Sequence, residues 1–167
     1  RCRFVGLDEW AGLGADDDGS CIGFMRRHLF EGLGMRAENI VFFDGRGDPD
    51  DECRRVEGFL ARHGPIDSML LGLGMNGHLG LNEPGTPFEG RCRIVDLDET
   101  TRRVGQKYFA NETVLRRGIT LGGQAIAESR EVVLAVCGAA KAPAVRRLLD
   151  SPAKDPATPA SLLKALP

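Results

Sequence analysis

Short apolar runs of strand length alternate along this chain with stretches whose apolar residues recur at helical spacing. That alternation is the tightest constraint on the fold. Residues 3–7, 40–43, 66–71, 92–95 and 131–137 read as strands. Between them, residues 21–33 carry Ile22, Met25, Leu29, Phe30 and Leu33 on one helical face, with Gly19-Ser20 as the start and Gly34 as the stop. Asp48-Pro49 opens a helix over 50–63 with Val56, Phe59 and Leu60 inward, and Gly64-Pro65 closes it. Asp98-Glu-Thr-Thr opens another that runs to Phe109. Residues 123–127 form a short helix, and Gly138 leads into one reaching Leu149. The alternation predicts an α/β protein: three layers, α/β/α, around a mainly parallel, Rossmann-like sheet. The runs at 66–71 and 131–137 read as strands buried on both faces.

The 167 residues suit one domain with a real core, here residues 1–167, without internal repeat or linker. A net charge of −2 leaves no electrostatic footprint for nucleic acid or an anionic membrane. With no apolar run long enough to span a bilayer and no signal-peptide pattern, the expected compartment is the cytoplasm. Cys2, Cys21, Cys53, Cys92 and Cys137 are odd in number, dispersed and without a C-x-x-C pair. They read as reduced thiols rather than disulfides or zinc ligands. The chain starts without methionine, already in a strand pattern by its third residue, so a piece of a longer polypeptide is expected.

Chemistry concentrates in Gly72-Leu-Gly-Met-Asn-Gly-His-Leu-Gly-Leu-Asn-Glu-Pro-Gly85, directly after the strand at 66–71. In parallel sheets, ligands sit beyond the carboxyl ends of strands. Five glycines in fourteen residues let the backbone approach a ligand, and between them stand Asn76, His78, Asn82 and Glu83. Gly72-Leu-Gly74-Met-Asn-Gly77 also matches the dinucleotide pattern G-x-G-x-x-G, with Asp96 at the ribose spacing. That pattern needs a helix on its third glycine, and Gly80, Pro84 and Gly85 forbid one, so no nicotinamide cofactor is expected. His28 and His63 read as surface residues of helices, which leaves His78 for chemistry. The acidic run 16–18 reads as a solvated loop.

Neighbouring strand ends would bring together Asp8, the His78/Glu83 loop and Lys141. These supply a carboxylate base, an imidazole with a carboxylate orienter, and a cation near a helix start suited to phosphate. No further histidine or cysteine completes a metal site. The chemistry is therefore metal-free and cofactor-free proton transfer on a phosphorylated small molecule.

Phe4-Val-Gly-Leu-Asp8-Glu-Trp10, the stretch 72–85, Arg117-Gly-Ile-Thr-Leu-Gly122 and Pro159-Ala-Ser-Leu-Leu163 resemble the glucosamine-6-phosphate and galactosamine-6-phosphate deaminase/isomerase family over essentially the whole chain. The L-D-E-W and N-G-H-L-G-L-N-E-P-G wording is closer to the galactosamine branch. The resemblance implies conversion of a hexosamine 6-phosphate to a ketohexose 6-phosphate plus ammonia. Asp8 would take the proton at carbon two and His78 would open the pyranose ring, with Glu83 orienting it. Asn76 would sit beside them, Lys141 and Lys107 would meet the phosphate, and Gly74 and Gly77 would line the substrate. Arg93, in an Arg-x-Arg pair, would be structural. Family members occur as monomers and as larger assemblies, so a homo-oligomer is allowed.

Three departures stand out. Asn76 replaces an aspartate of many members, and Lys107 stands where others present arginine, losing the bidentate fork. The family also begins with an earlier strand and a Gly/Thr/Ser-rich phosphate loop that this chain lacks, so weak binding of hexosamine phosphates by this piece is expected. Two rivals remain: a 6-phosphogluconolactonase, whose loop lacks the Asn-Glu-Pro seen here, and a non-catalytic sugar-phosphate-binding fragment.

Overall fold

The computed structural model describes residues 2–167. Strands β1 (Phe4–Val5) and β3 (Ile40–Val41) pair in parallel, as do β4 (Met69–Gly72) and β7 (Val132–Ala135). Strands β2 (Asp8–Trp10), β6 (Arg117–Leu121) and β5 (Cys92–Asp96) form an antiparallel sheet with β6 in the centre. The fold is thus mixed α/β with parallel pairs. The expectation of a mainly parallel sheet is met only in part. The run at 3–10 breaks at Gly6-Leu7, so its second half leaves β3 and pairs with β6 instead.

Local chemistry accounts for the helices. Ser20 caps α1 (Cys21–Met25) by accepting from the Gly23 N–H at 3.0 Å, and the helix widens into a π turn over Arg26–Phe30 before Gly34, at φ +58°, ends it. Asp48 caps α2 (Pro49–His63) through the N–H groups of Asp50 and Asp51, both at 3.0 Å. Asp98 caps α3 (Glu99–Gly105), which tightens into a 3₁₀ turn over Gln106–Tyr108. Helices α4 (Gly123–Glu128) and α5 (Ala142–Asp150) follow β6 and β7, and a 3₁₀ segment spans Pro159–Ala165. No helix is long and apolar enough to cross a membrane among the described residues.

The main core joins Val41, Phe43, Val56, Met69, Leu71, Ile119, Leu121, Ile126 and Leu148. A second cluster of Trp10, Leu81, Val95, Leu97 and Leu115 lies under the antiparallel sheet. Two sequence expectations are corrected here. Strands β4 and β7 are not buried on both faces: Met69 and Leu71 are buried, whereas Leu70 is 70% exposed and its cross-strand partner Val133 43%. Nor are all cysteines reduced, because Cys53 and Cys92 form a disulfide. Helix α2 lies across β5 and brings their Cα atoms to 5.4 Å, a proximity that a sequence separation of 39 hides. Cys2, Cys21 and Cys137 are free.

Candidate active site

Because β4 and β7 are parallel, the segments that leave them emerge on the same edge. The 73–85 loop follows β4 and Lys141 follows β7. There the Lys141 ammonium donates to the Leu73 carbonyl, which ties the two segments together. Asp8, just beyond β1 and opening β2, approaches from the side. Asp8, Gly74, His78, Lys107 and Lys141 all line one cleft of about 270 Å³, with Trp10, Thr101 and Tyr108 among its other walls. That volume approaches the lower end, about 300 Å³, of ordinary small-molecule sites.

The loop does not continue as a helix after Gly77. It makes a tight turn bridged between Leu79 and Asn82. Asn82 staples that turn to β6 by donating to the carbonyls of Leu79 (2.9 Å) and Leu121 (2.8 Å), so its amide is structural. From below, the loop is held by Ala160 N–H on the Gly77 carbonyl at 2.9 Å and by Arg147 on the Asn76 carbonyl at 3.1 Å. Gly74 must be glycine: a Cβ there would lie 2.2 Å from His78 Cδ2 and 2.4 Å from Nε2. At Gly80, φ is +57° and a Cβ would meet Thr120 Oγ1 at 2.7 Å, so this turn too excludes a side chain.

His78 is held from behind. Its Nδ1 faces Glu83 Oε2 at 3.2 Å and Thr101 Oγ1 at 3.0 Å, which leaves Nε2 as the nitrogen available to a ligand. Asn76 supports the pair twice: Nδ2 donates to Glu83 Oε2 at 2.8 Å, and Oδ1 accepts the His78 N–H at 3.3 Å. Glu83 is buried, which alone would raise its pKa. Hydrogen bonds from His78, Thr101 and Asn76, with the imidazole charge, outweigh that and hold it below the usual carboxylate value. Glu83 is therefore an anion that fixes the ring. Glu83, Asn76 and Gly77 do not line the cleft; they sit behind the residues that do.

Asp8 is in the opposite condition. Burial pushes its pKa up to about 6, against the lowering influence of His78 and of a hydrogen bond from Cys21. A carboxyl group poised there can take up and release a proton near neutrality. Lys141 is lowered, by burial first and then by the nearby Lys107 charge. Two ammonium groups repelling one another in one cleft favour an anion between them. Lys107 also lies over the Tyr108 ring, 4.8 Å from its centroid.

His28 and His63 are exposed, as expected. Arg93 donates to the Glu89 carbonyl and packs against Gly90 and Gly122, a structural position away from the cleft. Sequence reasoning missed Thr101, Cys21 and Glu9. The first was read only as part of a helix opening, and only the folded chain brings it to His78. Among the described residues, no group of three or more His, Cys, Asp or Glu side chains converges as metal ligands do.

Fold and cleft together show an α/β protein in which a raised carboxyl, an imidazole and two ammonium groups line one cleft of nearly small-molecule size. The chain belongs to the family of glucosamine-6-phosphate isomerases and 6-phosphogluconolactonases, whose model matches residues 4–166. It is 40% identical over 163 residues to glucosamine-6-phosphate deaminase of Shouchella clausii, covering 96% of this chain and 66% of that protein. The solved structure of a monomeric glucosamine-6-phosphate deaminase superposes with a TM-score of 0.93 at 37% identity, covering 99% of this chain and 69% of that one. A 6-phosphogluconolactonase from Thermotoga maritima shares the fold at 21% identity, with a TM-score of 0.72 over 95% of this chain and 66% of that one. The chain thus spans about two thirds of the length of the relatives it matches.

Proposed function

We propose that the protein is an aminosugar-6-phosphate deaminase/isomerase that needs no metal. The observation that carries this is His78, backed by Glu83, lining the same cleft as a carboxyl group raised to about 6, Asp8. His78 Nε2 moves a proton between the ring oxygen and the anomeric hydroxyl, opening the pyranose. Asp8 then takes the proton from carbon two, leaving an enolamine. Protonation at carbon one gives an iminium at carbon two, and water adds there to release ammonia and the ketohexose 6-phosphate. Lys141 and Lys107 hold the phosphate. The names of the 40%-identical relatives favour glucosamine 6-phosphate, with galactosamine 6-phosphate as the epimer to compare.

The lactonase reading shares the fold, and an imidazole oriented by Glu83 would also serve as a base for water. Hydrolysis needs only that one base, however, and so gives no task to Asp8, a second carboxyl raised to about 6 in the same cleft. We also infer that β1–β3 and β4–β7 are neighbouring parts of one Rossmann-like sheet in a three-layer arrangement, because Val5, Val41, Leu71 and Val132 share one core. The test is ammonia release from each hexosamine 6-phosphate, beside hydrolysis of 6-phosphogluconolactone. Ammonia without lactone hydrolysis is the expected result. Lactone hydrolysis alone would overturn the proposal.

A further inference from the structure

Behind Asp8, away from the cleft, lies a second arrangement that the reaction as written does not use. Cys21 Sγ stands 3.6 Å from Asp8 Oδ1 and donates to it. The thiol is held there by Glu9, which is fully buried. Glu9 Oε1 accepts the N–H groups of Trp10 and Cys21, both at 2.9 Å, and Oε2 accepts that of Ile22 at 3.1 Å. Cys21 and Ile22 are the first residues of α1, so Glu9 clamps the open N–H groups of that helix onto β2. Ser20 caps the same turn independently. The start of α1 therefore cannot shift relative to Asp8 without breaking several buried hydrogen bonds.

Neither Cys21 nor Glu9 lines the cleft, so neither touches a ligand there. We propose that Cys21, seated by Glu9, is a positioning residue: its S–H holds one Asp8 carboxylate oxygen and favours the ionised base. The inference rests on the role given to Asp8 above. The chemistry suits a thiol. Burial, then the charges of Asp8 and Glu9, push Cys21 well above its usual range, so it stays protonated and acts as a donor. It also packs with the apolar cluster around Trp10, where a thiol sits as a small hydrophobe. The other charged or titratable groups near Asp8 are His78 from the 73–85 loop, which favours the anion, Glu9 beside it, whose like charge opposes it, and Lys107 and Lys141, which line the same cleft. Thr120, its partner on β6, is uncharged.

The test follows the Asp8 carboxyl carbon by NMR through a pH titration, in the unsubstituted protein and in Cys21→Ala and Cys21→Val. This readout needs no turnover. Removing the donor should raise the Asp8 midpoint by roughly half to one pH unit in both variants, since a hydrogen bond to a charged group is worth about that much from a weak donor. Valine fills the space without donating, so an effect of water entering the gap is separated from loss of the bond. A midpoint that stays put or falls in either variant overturns the inference, even if both variants melt earlier. Where ammonia is released, the acid limb of kcat/KM should move by the same amount. If the midpoint moves while no variant and no parent releases ammonia, the positioning stands and the deaminase reading falls.

Discussion

At the scale of single residues, two carboxylates in one site are set to opposite ends of their range. Glu83 receives hydrogen bonds and stays ionised; Asp8 is buried with one weak donor and rises to about 6. As a base, Asp8 must be ionised, so kcat/KM for ammonia release should fall below about pH 6, and a pH–rate profile checks this. Asp8→Asn should stop deuterium exchange from solvent at carbon two, by about 10²–10⁴-fold, while leaving anomer interconversion nearly intact; proton NMR follows both. Exchange at the parent rate would remove Asp8 from the mechanism. Stability runs the other way. The folded pKa of Asp8 lies above its unfolded value of 3.8, so its stabilising contribution is complete below about pH 4 and is lost as pH rises through about 6. Asp8→Asn should therefore raise the melting temperature by a few degrees at pH 8 and hardly change it at pH 4, as calorimetry would show. Gly74→Ala should displace the imidazole and cost at least about 10²-fold in kcat/KM with an unchanged far-UV circular dichroism spectrum.

Among elements, the helices were legible because their signals are local. Ser20, Asp48 and Asp98 each cap a helix where the sequence placed one, and Gly34 and Gly64 end the runs they follow. Asp48 satisfies two N–H groups at the start of the longest helix, so Asp48→Ala should cost about 1 kcal/mol, or roughly 2–4 °C in melting temperature. Strands were legible as apolar runs but not as partners. Nothing in residues 92–96 or 117–121 announces that they pair antiparallel with each other, or that 117–121 takes Asp8–Trp10 on its other side. That choice depends on loops and on the core beneath.

At the scale of the whole molecule, the main core among the described residues is well covered, while the outer face of β4 and β7 is not. Leu71 is wholly buried and Leu70, its neighbour in β4, is 70% exposed. Leu71→Ala should cost about 2–5 kcal/mol, whereas Leu70→Gln should stay within about 0.5 kcal/mol, and urea denaturation of both variants decides it. An equal loss at both positions would mean that Leu70 is covered in solution. At this scale too, the loop at 73–85 depends on distant chain: segment 156–160, α5 and β6 each supply a hydrogen bond that holds it.

The residues by themselves determined the helices and their ends and the α/β class, and they marked Asp8, His78, Glu83 and Lys141 as candidates for chemistry; Lys107 entered only through the family resemblance. Caps, periodicity and glycine-rich turns act over a few positions and are written where they act. Tertiary structure alone decided which strands pair, that Cys53 meets Cys92, and that Thr101 stands behind His78 with Asn76 beside Glu83. It alone also set the protonation of the two carboxylates. An aspartate and a glutamate are nearly alike in an extended chain. Burial raises Asp8 despite the thiol that donates to it, three hydrogen bonds lower Glu83, and both environments exist only once the chain has folded.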